Sequence, residues 1–109
     1  MTIAEFYDKF YDRAEKSHAH AIFCERVYGI NLCQHGMADE DQINLMLDEL
    51  GLDDTSNVLD LGCGPGHISN HIQKKSKCRL VGLDISPVAI QRAVENFGSH
   101  DPDLQFIVG

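Results

Sequence analysis

Three glycines alternate through the stretch VLDLGCGPGHIS, residues 58–69: Gly62, Gly64 and Gly66. They follow directly on an apolar run. Bulky and β-branched residues strengthen a strand and glycine weakens one, so the pair marks a strand ending in a turn. A turn without Cβ atoms takes positive φ and lets a bulky ligand approach the backbone. A loop leading into a helix start also offers N–H groups to a carboxylate or phosphate. The run RLVGLD, residues 79–84, ends in Asp84, twenty residues beyond Gly64. A carboxylate at the end of a neighbouring strand can accept both hydroxyls of a ribose. A glycine loop facing such an acid points to an adenosine-containing cofactor. Asp60 lies inside the apolar run, where an unpaired acid is costly to bury. It is expected to accept loop N–H bonds or to face the ligand.

The elements that must position these groups can be read from caps and periodicity. Thr2 and Glu5 form a capping box, and Ile3, Phe6, Tyr7, Phe10, Tyr11 and Ala14 repeat at helical spacing. This aromatic stripe reads as core or lid packing. Ser17 caps a second helix to about Tyr28, with Gly29 as its stop. Residues 30–38 show no clear period. Asp39 and Gln42 open a third helix lined by Ile43, Met46, Leu47 and Leu50, and Gly51 ends it. A change of pattern follows: a buried-type strand over 57–61, a helix over 66–75 and a strand over 79–84. Ser86 and Pro87 start a helix that runs to Phe97 and stops at Gly98, and a last strand covers 104–108. Strands alternating with helices of about ten residues predict an α/β fold with a parallel sheet and right-handed crossovers. A parallel sheet of about three strands is small, since both faces are normally covered. The expectation is the first half of a larger domain. It leaves the first strand as an open edge, which invites self-association.

Composition narrows the setting. The chain has 109 residues, 43% apolar and 24% charged, the proportions of a globular domain. Acids outnumber bases 17 to 9, and the net charge of −8 repels nucleic-acid phosphates and anionic membrane surfaces. No apolar run reaches the length needed to cross a bilayer, and the N-terminus lacks a signal-peptide core. A cytoplasmic protein is expected. Cys24, Cys33, Cys63 and Cys78 show no CxxC pair and read as free, buried thiols. No metal site is expected: His18 and His20 do not share a helix face, and His67 and His71 share one without a third ligand nearby.

A dinucleotide-binding loop has the spacing G-x-G-x-x-G, but here it is G-x-G-x-G, with His67 where the last glycine would fall. VLDLGCGPG instead resembles the glycine motif of class I S-adenosylmethionine-dependent methyltransferases. LVGLDISPVAIQRA resembles the ribose-binding strand and following helix of the same family. The likeness covers residues 57–94. It implies a Rossmann-like domain beginning near residue 53, behind a helical lid or cap over 1–52, and S-adenosyl-L-methionine as cofactor. By the same likeness Asp60, Gly62, Cys63, Gly64 and Gly66 hold the methionine part, Asp84 the ribose hydroxyls, and Ile85 packs on adenine. YGINLCQHGMADEDQ resembles the lid of small-molecule methyltransferases, which would bring Tyr28, His35 and Gly36 near the reactive methyl. His35 or Tyr28 would then help remove a proton from a small-molecule acceptor. The alternative is a nucleotide-cofactor domain of the NAD type, without methyl chemistry.

Overall fold

The computed structural model describes residues 1–33, 36, 38–98 and 101–109. Helix α1 spans Ile3–Lys16, α2 His18–Tyr28 and α3 Glu40–Leu50. Then come β1 (Asn57–Leu61), α4 (His67–Ser76), β2 (Arg79–Asp84), α5 (Pro87–Ala93) and β3 (Leu104–Val108). The strands lie in the order β1-β2-β3, and both pairs are parallel.

Local chemistry sets the boundaries. The Thr2 hydroxyl accepts from Glu5 N at 3.1 Å while the Glu5 carboxylate accepts from Thr2 N at 2.7 Å. Asp39 and Gln42 make the same reciprocal pair at the start of α3. Ser17 serves two helices. Its N–H donates to Ala14 O at the end of α1, and its hydroxyl accepts from His20 N at the start of α2. Pro87 stands in the first turn of α5, where its missing N–H costs nothing. One boundary departs from expectation. Helix α5 ends at Ala93, and residues Val94–Gly98 continue as a wider π turn. Phe97, within that turn, meets the His67 ring edge-on at a centroid distance of 5.2 Å.

Parallel register puts Val58, Leu80 and Leu104 in one row and Asp60, Gly82 and Phe106 in the next. These residues share a face of the sheet, because side chains alternate along each strand. Leu80 and Leu104 are 1% exposed and pack with Cys78, with Ile43 of α3 and with Ile72 of α4. Ala89, Ile90 and Ala93 of α5 are also buried, and α1 lies against α5. The opposite face is different: Leu59, Leu61 and Ile107 are 59%, 71% and 50% exposed. The strand expected at 57–61 as a buried type is instead half-buried on one face and exposed on the other, with one edge paired to β2. Among the described residues, no helix is long and apolar enough to cross a membrane.

Candidate functional site

The glycine loop is the turn from β1 into α4. Gly62, Gly64 and Gly66 all have positive φ, at 74°, 56° and 86°. At Gly66 the need for glycine is steric as well. A Cβ there would lie 2.7 Å from the Phe106 ring and 2.9 Å from Ala93 Cβ. At Gly62 a Cβ would meet nothing within 4 Å, so its bareness faces open space.

The loop is held by the strand beside it. Gly62 N and Cys63 N both donate to Leu83 O, at 2.7 and 3.0 Å. Gly64 N donates to Asp84 Oδ2 at 2.8 Å, and Gly66 N to Cys63 O at 3.2 Å. Pro65 has no N–H. The expectation that the loop offers free N–H groups is thus corrected: these amides already serve the turn and the neighbouring strand. What the loop presents to a ligand is bare backbone. The start of α4 still carries no side-chain cap.

Asp84 stands at the end of β2, as its place in RLVGLD implies, and is 7% exposed. Its second oxygen accepts from Ser86 N at 2.9 Å. Each carboxylate oxygen has two lone pairs, so one backbone bond apiece leaves capacity for further donors. Beside it lies a cavity of about 440 Å³ lined by Gly62, Asp84, Ile85, Leu61, Tyr7 and Tyr11, among others. That is within the usual range for small-molecule sites, roughly 300–1,000 Å³. Ile85 is half-exposed, and Gly62 and Asp84 share the same wall.

Tyr7 and Tyr11 come from α1 and form a second wall that the stripe reading did not assign to the site. A Cβ at Gly64 would fall 2.8 Å from the Tyr11 hydroxyl. Burial, and then the charge of Asp84, push the Tyr11 phenol well above its ordinary pKa, so it stays a donor. Asp8 fixes this wall by accepting from the Ser86 hydroxyl and from Val88 N. Asp12 adds a bond to Arg92 at 2.7 Å. The available signal was the pair of tyrosines four apart, which gives two polar tips on one face of the stripe.

The remaining expected residues are not among those lining this cavity. Asp60 is half-buried and accepts from the Ser69 hydroxyl at 2.6 Å, a bond from β1 into α4. Burial first, then Asp84, raise its pKa, and the Ser69 bond opposes them. The Cys63 thiol is buried close to Gly82, and burial pushes its pKa up to about 12. Its side chain packs, while its backbone belongs to the loop. Tyr28 is buried at the end of α2, with its hydroxyl donating to Gly36 O at 2.7 Å. His35 lies outside the described residues.

A family model described as a methyltransferase domain matches residues 52–109, the stretch that holds the loop, Asp84 and the sheet. The chain belongs to the methyltransferase-domain family. Its three-stranded parallel sheet and flanking helices have the Rossmann-like fold of the S-adenosylmethionine-dependent class. This methyltransferase domain is 41% identical over 49 residues to a trans-aconitate 2-methyltransferase of an Enterobacter species, covering 44% of this chain and 19% of that one. It is 40% identical over 48 residues to a ribosomal protein L11 methyltransferase of Clostridium botulinum, covering 44% and 15%. A solved RNA methyltransferase from Salinibacter ruber, in complex with S-adenosyl-L-homocysteine, superposes with a TM-score of 0.59 at 26% identity. That superposition covers 66% of this chain and 48% of the other. The matched stretch is thus less than a fifth of either curated relative. The names of these three relatives carry different methyl acceptors: trans-aconitate, ribosomal protein L11 and RNA.

Proposed function

We propose that this methyltransferase domain binds S-adenosylmethionine between the glycine loop and α1, as the cofactor half of an enzyme that methylates a small molecule. One observation carries the reading. The bare backbone of Gly62 and the carboxylate of Asp84 border the same cavity, and Gly62 has open space where a side chain would stand. The residues suit the cofactor. The uncommitted lone pairs of Asp84 accept the ribose hydroxyls, and half-exposed Ile85 packs on adenine. Asp60 and the loop Gly62, Cys63, Gly64 and Gly66 border the methionine part by contact, since the loop amides are already bonded. The Tyr11 phenol donates to its carboxylate.

When bound, the sulfonium supplies an electrophilic methyl carbon and a neutral leaving group. The domain's own task is then to hold the reacting atoms in line and exclude water. Tyr7 and Tyr11 contribute by roofing the pocket. The segment 1–52 serves as the lid, which favours a small acceptor, and the net charge of −8 disfavours RNA. Where the acceptor carries a proton, His35 or Tyr28 removes it. For Tyr28 this requires release of its bond to Gly36. A cytoplasmic setting fits the buried free thiols. The free edge of β1, flanked by exposed Leu59 and Leu61, supports pairing between copies. Light scattering that finds only monomer at high concentration removes that last point.

Calorimetry on the 109-residue chain, with S-adenosylhomocysteine against NAD, tests the cofactor reading. Saturable binding of the first and none of the second is expected. A preference for NAD would overturn it and restore the dinucleotide alternative.

A further inference from the structure

Behind the end of the glycine loop, in a cavity lined by other residues, three ligand-type side chains meet. Glu15 of α1, Cys33 of the α2–α3 connection and His67 at the start of α4 bring an oxygen, a sulfur and a ring nitrogen within 4.8 Å of one another. Glu15 Oε1 and His67 Nε2 are 2.6 Å apart, with side chains 16% and 23% exposed. Cys33 is 6% exposed. Its φ of +50° is one that non-glycine residues rarely hold, and the Asn31 side chain steadies it by accepting its N–H at 3.1 Å. A small cavity of about 50 Å³ borders all three residues, together with Ser17 and Asn31.

Glu15 bonds the His67 ring and also accepts from the Cys33 thiol, so the three ligand atoms already converge on one carboxylate. Burial, and then the charge of Glu15, push the Cys33 thiol up to about 12. A thiolate, a carboxylate and a neutral imidazole would together carry two negative charges, the complement of one divalent cation. The thiolate and imidazole suit zinc better than magnesium or calcium, which favour oxygen ligands.

We propose that Glu15, Cys33 and His67 bind one zinc-type divalent cation that clamps the N-terminal helices to the start of α4. Bonds of about 2.0–2.3 Å in a tetrahedral site put ligand atoms roughly 3.3–3.7 Å apart. The Glu15–His67 pair must open by about 0.7 Å, and no other pair need close by more than about 1 Å. On binding, the Cys33 S–H bond breaks, the sulfur–metal bond forms from the same electron pair, and the proton leaves to solvent. His67 binds through Nε2 with its proton on Nδ1, so the metal replaces its bond to Glu15. The cavity leaves space for about one water in the fourth position, since a water occupies roughly 30 Å³. A substrate does not fit there, so the site is structural. Sequence spacing paired His67 with His71 instead. In the fold His71 turns to Asn44 at 3.2 Å, and the partners of His67 arrive from α1 and the connection after α2.

Cobalt(II) titration of the full chain under reducing conditions tests this. The expected result is a near-ultraviolet thiolate-to-cobalt band with strong visible bands of tetrahedral cobalt, saturating at one equivalent and displaced by zinc. Cys33→Ser should abolish the thiolate band, while Cys24→Ser and Cys63→Ser keep it. Glu15→Gln and His67→Gln should each weaken cobalt binding by about tenfold or more. Absence of the thiolate band in the wild-type chain overturns the proposal, as does its survival in Cys33→Ser. Circular dichroism checks the fold of each variant. Should Cys33→Ser not fold, unchanged affinity in both Glu15→Gln and His67→Gln overturns the proposal on its own.

Discussion

The two walls of the proposed cofactor pocket are built in opposite ways. The sheet-side wall is backbone: a glycine loop tied to Leu83 O and to Asp84 within one strand–turn–helix–strand unit. The α1 wall is side chain: Tyr7 and Tyr11, delivered by a helix whose ties to α5 run through Asp8 and Asp12. The first wall is part of the fold itself. The second is laid on it, held by the buried Tyr11 and Ala14 as well as by the polar bonds of Asp8 and Asp12. In the proposed reading the backbone wall holds the cofactor and the α1 wall covers it.

The largest expected effect is at Gly66. A methyl group there meets the Phe106 ring and Ala93 at a positive φ, so Gly66→Ala should cost about 3 kcal/mol, combining left-handed strain with overpacking. The same change at Gly62 meets nothing, and only the strain of about 1 kcal/mol applies. Urea unfolding of both variants measures the gap. Equal losses would mean that the loop yields as readily as the helix wall.

Next comes Asp84→Asn. Loss of a charged acceptor should lower S-adenosylhomocysteine affinity about tenfold or more, since hydrogen bonds to charged groups are worth about 1.5–3 kcal/mol. Calorimetry reads the change. Affinity within a factor of two of wild type would remove Asp84 from the ribose contact.

Asp8→Ala addresses the other wall. It removes the acceptor for the Ser86 hydroxyl and Val88 N, and a loss of about 1 kcal/mol is expected from a part-buried bond. Hydrogen exchange should rise in α1 and stay unchanged in β2. Faster exchange spread evenly over both would show that the two walls unfold as one body.

The smallest effect is a pH dependence at Asp60. Its folded pKa is raised, so the folded state binds more protons than the unfolded one between the two values. The stability advantage of the protonated form is complete below the unfolded pKa and is lost as pH rises through the folded pKa. Near neutral pH the ionised group is therefore a net cost, and Asp60→Asn should be as stable as wild type or more so. Under acid the difference should close. Paired urea curves at neutral and mildly acidic pH check it. A variant less stable at neutral pH, with the loss vanishing in acid, would show that the charge itself braces α4 through Ser69.

Much of the sheet-side wall was legible because its rules are local. The strands over 57–61, 79–84 and 104–108 stand where the apolar runs put them. The reciprocal bonds of Thr2 with Glu5 and of Asp39 with Gln42 follow from residues three apart. The end of α5 was less legible, because a π turn depends on where Phe97 can pack. The α1 wall was hidden in the same way. A stripe of Phe and Tyr shows which face is apolar but not what that face meets. Tyr28 shows the converse: its neighbourhood was read from a motif, and its hydroxyl is bound to Gly36.

By itself, then, the sequence determined the caps, the order of helices and strands, and a glycine turn followed by an acid at the next strand end. Each depends on atoms only a few residues apart or on a repeating period, so composition and spacing suffice. Only the tertiary structure decided that the loop amides are consumed by Leu83 and Asp84, that Tyr11 lies over Gly64, and that Glu15, Cys33 and His67 converge. Those contacts join groups distant along the chain. Their geometry comes from how α1 packs on α5 and how α4 meets the sheet, which no local pattern encodes.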